Sequence, residues 1–188
     1  MGAIIGGLIG MQFDSQTIHA TCKQYILGFF DYTLPISSLL KGKKVRASLD
    51  SVFGKRQIED LWLPYFCVAT NLTQAGQVVH RQGPIAEAIR SSMSLPGILL
   101  PCYQEGDLLV DGGLVNNLPV DVMRSVFKGS KVIAVDVVPK RDLTVNNKFA
   151  TEISGWALLM NRINPFRKMA GIPSILNVLI RSATLASV

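Results

Sequence analysis

The 188 residues fit one domain and suffice for a substantial core, and 48% of them are hydrophobic. A mean hydropathy of +0.32 is high for a soluble chain, as expected of part of a larger domain or of a protein that works at a lipid surface. The formal net charge of +6 favours an anionic partner, but the densest basic run (Lys41, Lys43, Lys44, Arg46) has no interleaved aromatic residues. It reads as a solvated loop rather than a nucleic-acid platform. The three cysteines, Cys22, Cys67 and Cys102, are widely spaced and form no C-x-x-C pair, which argues against a disulfide framework and for a reducing compartment. The apolar opening is too short to span a bilayer and lacks a basic lead-in, so the expected location is cytoplasmic, with peripheral membrane contact at most.

Gly2 to Met11 is built of small and apolar residues, with glycine at 2, 6, 7 and 10. Each glycine in a helix interior costs about 0.5–1 kcal/mol against alanine, so a helix here implies close backbone packing, for which a sheet is the expected partner. Asp14 or Ser15 suits the N-cap of a second helix through Tyr25 to Leu27. From Asp31 to Asp60 the signals are mixed and predict short helices and loops over the core, including a helix through Leu49, Val52 and Phe53 that ends near Gly54. Tyr65 to Thr70 is a near-continuous apolar run, as in a strand buried on both faces, and Cys67 within it is expected to be a buried free thiol.

Gln77 to His80 predicts a second strand. Pro84 opens a helix continuing through Ala88, Ile89 and Met93, which Leu95-Pro96-Gly97 stops. Asp107 to Val110 is a third strand, Pro119 opens another helix, and the β-branched Lys131 to Val138 is a fourth strand. Ile153 to Val188 reads as two amphipathic helices. Strands alternating with helices indicate an α/β fold.

Two sites of chemistry emerge. Asp111-Gly112-Gly113 places a carboxylate at the C-terminal end of a strand, where open α/β sheets carry their sites. The tripeptide taken alone suits an ordinary hairpin turn better. Met1-Gly2 followed by a small-residue helix is what succeeds the serine in a G-x-S-x-G nucleophile elbow, the serine falling one position before Met1. The competing reading is an ordinary initiator before a tightly packed helix. His19 and His80 flank no motif and read as surface or internally satisfied residues. Ser91, Ser92 and Ser94 sit on a helix end, with packing or capping roles. Neither metal spacing nor a nucleotide-binding glycine motif is present.

Four runs carry a resemblance: LWLPYFCVATNL (Leu61 to Leu72), AIRSSMSLPGILLP (Ala88 to Pro101), LLVDGGLVNNLPVDVMR (Leu108 to Arg124) and VIAVDV (Val132 to Val137). In this order they resemble the patatin-like phospholipases, most closely the branch containing neuropathy target esterase and its bacterial relatives. ISGWALLMNRINPF (Ile153 to Phe166) is similar to that branch's tail. The resemblance implies a three-layer α/β/α domain, here partial at its N-terminus: residues 1–145 would be the core remainder with its DGG motif, and 146–188 a helical extension. It also implies a cofactor-free Ser–Asp dyad that hydrolyses phospholipid or lysophospholipid acyl esters. Asp111 would be the dyad base, Gly112 and Gly113 would complete its motif, and Met1 and Gly2 would be the last two positions of the serine elbow. The nucleophile and the oxyanion glycines are missing partners from the same domain, so this chain alone is expected to be inactive. The alternative is a non-catalytic membrane-associated scaffold on the same fold. Nothing in the motifs supports a nucleic-acid partner.

Overall fold

The computed structural model describes residues 1–28 and 38–136, and those up to Ala134 belong to one compact unit. Both helices expected at the start are present: α1 (Gly2–Gly10) and α2 (Ser15–Gly28). Asp14 caps α2, its Oδ1 accepting from the N–H groups of Gln16 and Thr17, each at 2.9 Å. The glycines of α1 are explained by what lies against them. A Cβ on Gly7 would stand 3.0 Å from the Phe53 ring and 3.2 Å from Ile85 and Ile89. One on Gly6 would meet the Tyr65 ring at 3.1 Å, and one on Gly10 would meet Leu61 at 3.0 Å. The expected sheet is therefore replaced as packing partner by side chains of two helices and a loop. Tyr65 adds a hydroxyl bond to the Ala3 carbonyl, 2.9 Å.

β1 (Ser38–Leu40) leads into α3 (Lys43–Phe53), whose Val45, Leu49 and Phe53 recur every fourth residue and are buried. This segment builds the core instead of lying over it. On its outer face Arg46 reaches Asp50 at 3.6 Å and Glu87 at 3.0 Å. Gly54, with φ +61°, ends the helix.

β2 (Cys67–Asn71) is buried along its whole length, as its apolar sequence requires. β3 (Gly76–His80) pairs with it antiparallel. The intervening turn is tied by Asn71, whose Oδ1 accepts from Thr73 and Gln74 N–H at 2.9 and 3.0 Å. α4 (Ile85–Ser92) follows Pro84 and buries Ile85, Ala88 and Ile89 against α1, α3 and β2. Two short strands that the sequence pattern did not disclose come next: β4 (Gly97–Leu99), parallel to β1, and β5 (Cys102–Gln104). β5 forms a hairpin with β6 (Asp107–Asp111) across Glu105 and Gly106, both with positive φ (51° and 94°), the geometry of a two-residue type I′ turn. The sheet order is β3-β2-β6-β5. A 3₁₀ turn (Gly112–Leu114) and α5 (Val120–Val126) complete the described elements.

The α/β class holds. The expected strand at Lys131 to Val138 does not: residues 131–136 are not in a strand, and Ile133 and Val135 are 90% and 72% exposed. β-branched residues favour a strand only where a neighbouring strand pairs with them, and none of the described strands does so here. Residues 137–188, including the two expected C-terminal helices, lie outside the described residues.

β6 passes so close to β2 at its end that a Cβ on Gly112 would fall 2.1 Å from the Val68 carbonyl oxygen. That atom is backbone in the middle of a sheet and cannot swing aside. Gly112→Ala is therefore expected to separate β2 from β6, with loss of the cooperative thermal transition by circular dichroism. Gly7→Val presses on softer side chains and should lower unfolding free energy by about 1–3 kcal/mol in a urea titration.

Candidate functional site

Asp111 is the last residue of β6 and is held from three directions. Its N–H donates to the Ser94 carbonyl at 3.0 Å. Its own carbonyl accepts the Thr70 hydroxyl at 2.9 Å. Its carboxylate Oδ1 accepts the Gly113 N–H at 2.7 Å, which caps the 3₁₀ turn. The chain does not reverse into a hairpin after Asp111, as an isolated Asp-Gly would suggest, but enters that turn. Gly113 is constrained less severely than Gly112, and by side chains rather than backbone. A Cβ there would stand 3.0 Å from Asp111 Oδ1 and 3.1 Å from Asn117 Oδ1, crowding the carboxylate itself.

The carboxyl group is half-buried, and burial raises its pKa above the usual aspartate value. The hydrogen bond from the Gly113 N–H acts in the opposite direction. Met1 and Asp111 come together in space although 110 positions apart in the chain.

Both line one cavity of about 420 Å³. Its polar wall holds Asp111, Ser92, Asn116 and Asn117, and its apolar wall includes Ile9, Leu63, Phe66 and Met123. All five residues singled out from the sequence, Met1, Gly2, Asp111, Gly112 and Gly113, border this space. Gly2 has nothing within 4 Å of where a Cβ would be, so local packing does not demand glycine there. Asn116 is anchored to Asp121 at 2.8 Å and to Gln77 at 3.1 Å. Asn117 is exposed beside the carboxylate.

The three serines of α4 and its end part company. Ser91 is buried, donates to the Ala88 carbonyl at 2.8 Å and lies 3.0 Å from His80 Nε2. The serine proton being used, the imidazole N–H is the donor of that pair, and burial lowers the His80 pKa and keeps the ring neutral. Ser94 is fully buried and shares hydrogen bonds with Arg90, whose guanidinium donates to its hydroxyl and to the Leu100 carbonyl (3.1 Å). These two have the structural roles expected of them, whereas Ser92 borders the cavity. Neither His19 nor His80 does. The Cys67 thiol is pushed by burial up to about 12 and is unreactive at neutral pH. Among the described residues no cluster of three or more His, Cys, Asp or Glu could hold a metal. No described helix is long and apolar enough to cross a membrane.

Arg90, Ser94 and Thr70, which fix Asp111 directly or through one another, lie within two of the runs that carry the resemblance, but no sign of their link to Asp111 was visible in the sequence. Asn116 and Asn117 do have a signal, since they follow the DGG triplet within the same run.

Residues 1–124 match the model of the family described as patatin-like phospholipase. Over its whole length the chain is 37% identical to "Lysophospholipase NTE1" of Meyerozyma guilliermondii and covers 13% of that protein. It is 36% identical to "Patatin-like phospholipase domain-containing protein 7" of Rattus norvegicus and 34% identical to "Neuropathy target esterase sws" of Drosophila melanogaster, covering 14% of each. The chain therefore spans about one-seventh of these relatives, and it belongs to the patatin-like phospholipase family, in the branch of neuropathy target esterase.

Proposed function

We propose that this chain supplies the proton acceptor and much of the acyl cavity of a lipid acyl-ester hydrolase that uses a Ser–Asp dyad. The observation that carries the reading is the shared cavity, which Asp111, Met1 and Gly2 all line. A serine hydroxyl one position before Met1 would enter this space. Its oxygen attacks the ester carbonyl carbon while Asp111 takes the hydroxyl proton and then passes it to the leaving alcohol oxygen. Water attacks the resulting acyl-enzyme, gives its proton to Asp111 and releases the fatty acid, and the proton returns to the serine. Burial of Asp111 suits this role, because a raised pKa makes the carboxylate a stronger base.

The apolar wall of Ile9, Leu63, Phe66 and Met123 fits a fatty acyl chain, and the names of the relatives favour phospholipid or lysophospholipid esters. Near the cavity, Trp62 is 78% exposed, Ile9 47% and Leu63 43%, a surface that suits peripheral contact with a bilayer. On this reading, turnover requires a serine hydroxyl delivered to this cavity together with Asp111.

Two measurements test the role of Asp111. Fused at Met1 to a segment ending in Gly-x-Ser, the protein is expected to release fatty acid from lysophosphatidylcholine vesicles. Asp111→Asn should then lower kcat by about 10²–10⁴-fold, the usual contribution of a general base. Unchanged turnover in that variant, or Asp111-dependent turnover by the chain starting at Met1, would contradict the proposal.

The second measurement is stability against pH. Burial raises the folded-state pKa of Asp111, so between the ordinary carboxylate value of 3.8 and that raised value the folded state binds more protons than the unfolded state. Stability from this group is complete below 3.8 and is lost as pH rises through the folded value. Asp111→Asn should therefore raise the thermal midpoint at pH 7, and the gain should vanish once the buffer falls below the ordinary carboxylate range.

A further inference from the structure

We infer that Thr70 is a positioning residue for Asp111, acting through the peptide unit that joins Asp111 to Gly112. The inference rests on the assignment of Asp111 as the base. Thr70 lies on β2, one residue past the Ala69–Asp111 pair, and is 5% exposed. A β-branched residue in a buried strand needs no special explanation, and its hydroxyl requires only some acceptor. The acceptor it has is the Asp111 carbonyl, at 2.9 Å.

That carbonyl belongs to the plane that also carries the Gly112 N–H, and its orientation sets the course of the chain into the 3₁₀ turn. Only one course brings the Gly113 N–H to 2.7 Å from Asp111 Oδ1. The contact with Val68 limits where Gly112 can lie but supplies no bond to the Asp111 carbonyl; without the hydroxyl, the Asp111–Gly112 peptide plane loses the bond that sets its tilt, and the Gly113 N–H shifts off the carboxylate. The opposite face of Asp111 is held by main chain, its N–H on the Ser94 carbonyl. Of the three bonds on Asp111, the one from Thr70 is the only one supplied by another residue's side chain, so it can be removed without deleting backbone.

The test uses the same serine-bearing protein, with lysophosphatidylcholine vesicles as substrate. Thr70→Val keeps the strand-forming shape and removes the donor. It should lower kcat by roughly 10–100-fold, as displacement of a reacting group does, with KM unchanged. The acid limb of its kcat/KM profile should move to higher pH, since the carboxylate loses the Gly113 N–H that stabilises its charged form. Thr70→Ser retains the hydroxyl and should restore both the rate and the profile. Equal losses in the Ser and Val variants would overturn the inference, because they would point to packing of the methyl group. A Val variant with the parent rate and profile would overturn it too, and in both cases an inactive Asp111→Asn control leaves the base assignment standing. An Asp111→Asn control that retains activity overturns the base assignment and this inference together.

Discussion

The carbonyl of Val68 leaves no room for a side chain above it, and the position of the carboxylate follows from that contact. β6 can lie against β2 up to Asp111 and then cross Val68 only because residue 112 is glycine. The crossing turns the chain into the 3₁₀ segment, which brings the Gly113 N–H back onto the Asp111 side chain and aims Asn116 and Asn117 at the same space. A steric limit in the sheet thus becomes an orientation at the site.

The core makes that limit rigid. β2 is buried at every residue, with α4 packed against it, and α4 meets both α1 and α3. The glycines of α1 let its backbone settle on Phe53, Ile85 and Ile89, which carries the start of the chain to the cavity that Asp111 also lines. The buried polar groups of α4, Arg90 and Ser91, are bonded internally. His80 satisfies Ser91, and Arg90 with Ser94 ties the helix end to the Leu100 carbonyl. A buried guanidinium and imidazole with hydrogen-bond partners of this kind hold the frame and need no catalytic explanation.

Much of this was legible in the residues. Helix boundaries at Asp14, Gly54 and Pro84 rest on local backbone chemistry, which a sequence displays directly. The buried course of β2 was visible in its unbroken apolar run, and the DGG triplet marked the site. Less local features stayed hidden. β4 and β5 are three residues each, too short for a periodicity. The strand expected from Lys131 reflects side-chain preference, whereas a strand also requires a partner edge, which no local pattern reports. The hydroxyl that holds Asp111 is 41 positions away from it, and no spacing rule connects the two.

The two-residue link between β5 and β6 has a geometric consequence. With Glu105 and Gly106 both left-handed, Gln104 must face Asp107, and the pairing of Tyr103 with Leu108 and Cys102 with Leu109 follows. Side chains alternate along β6, so insertion of a single residue into this hairpin would rotate the whole strand by half a turn. Val110, buried in the core, would then point where Asp111 now points, and the acid would be trapped in hydrocarbon on the far side of the sheet. The remote tip of a small hairpin thus determines on which face of the protein a negative charge is available.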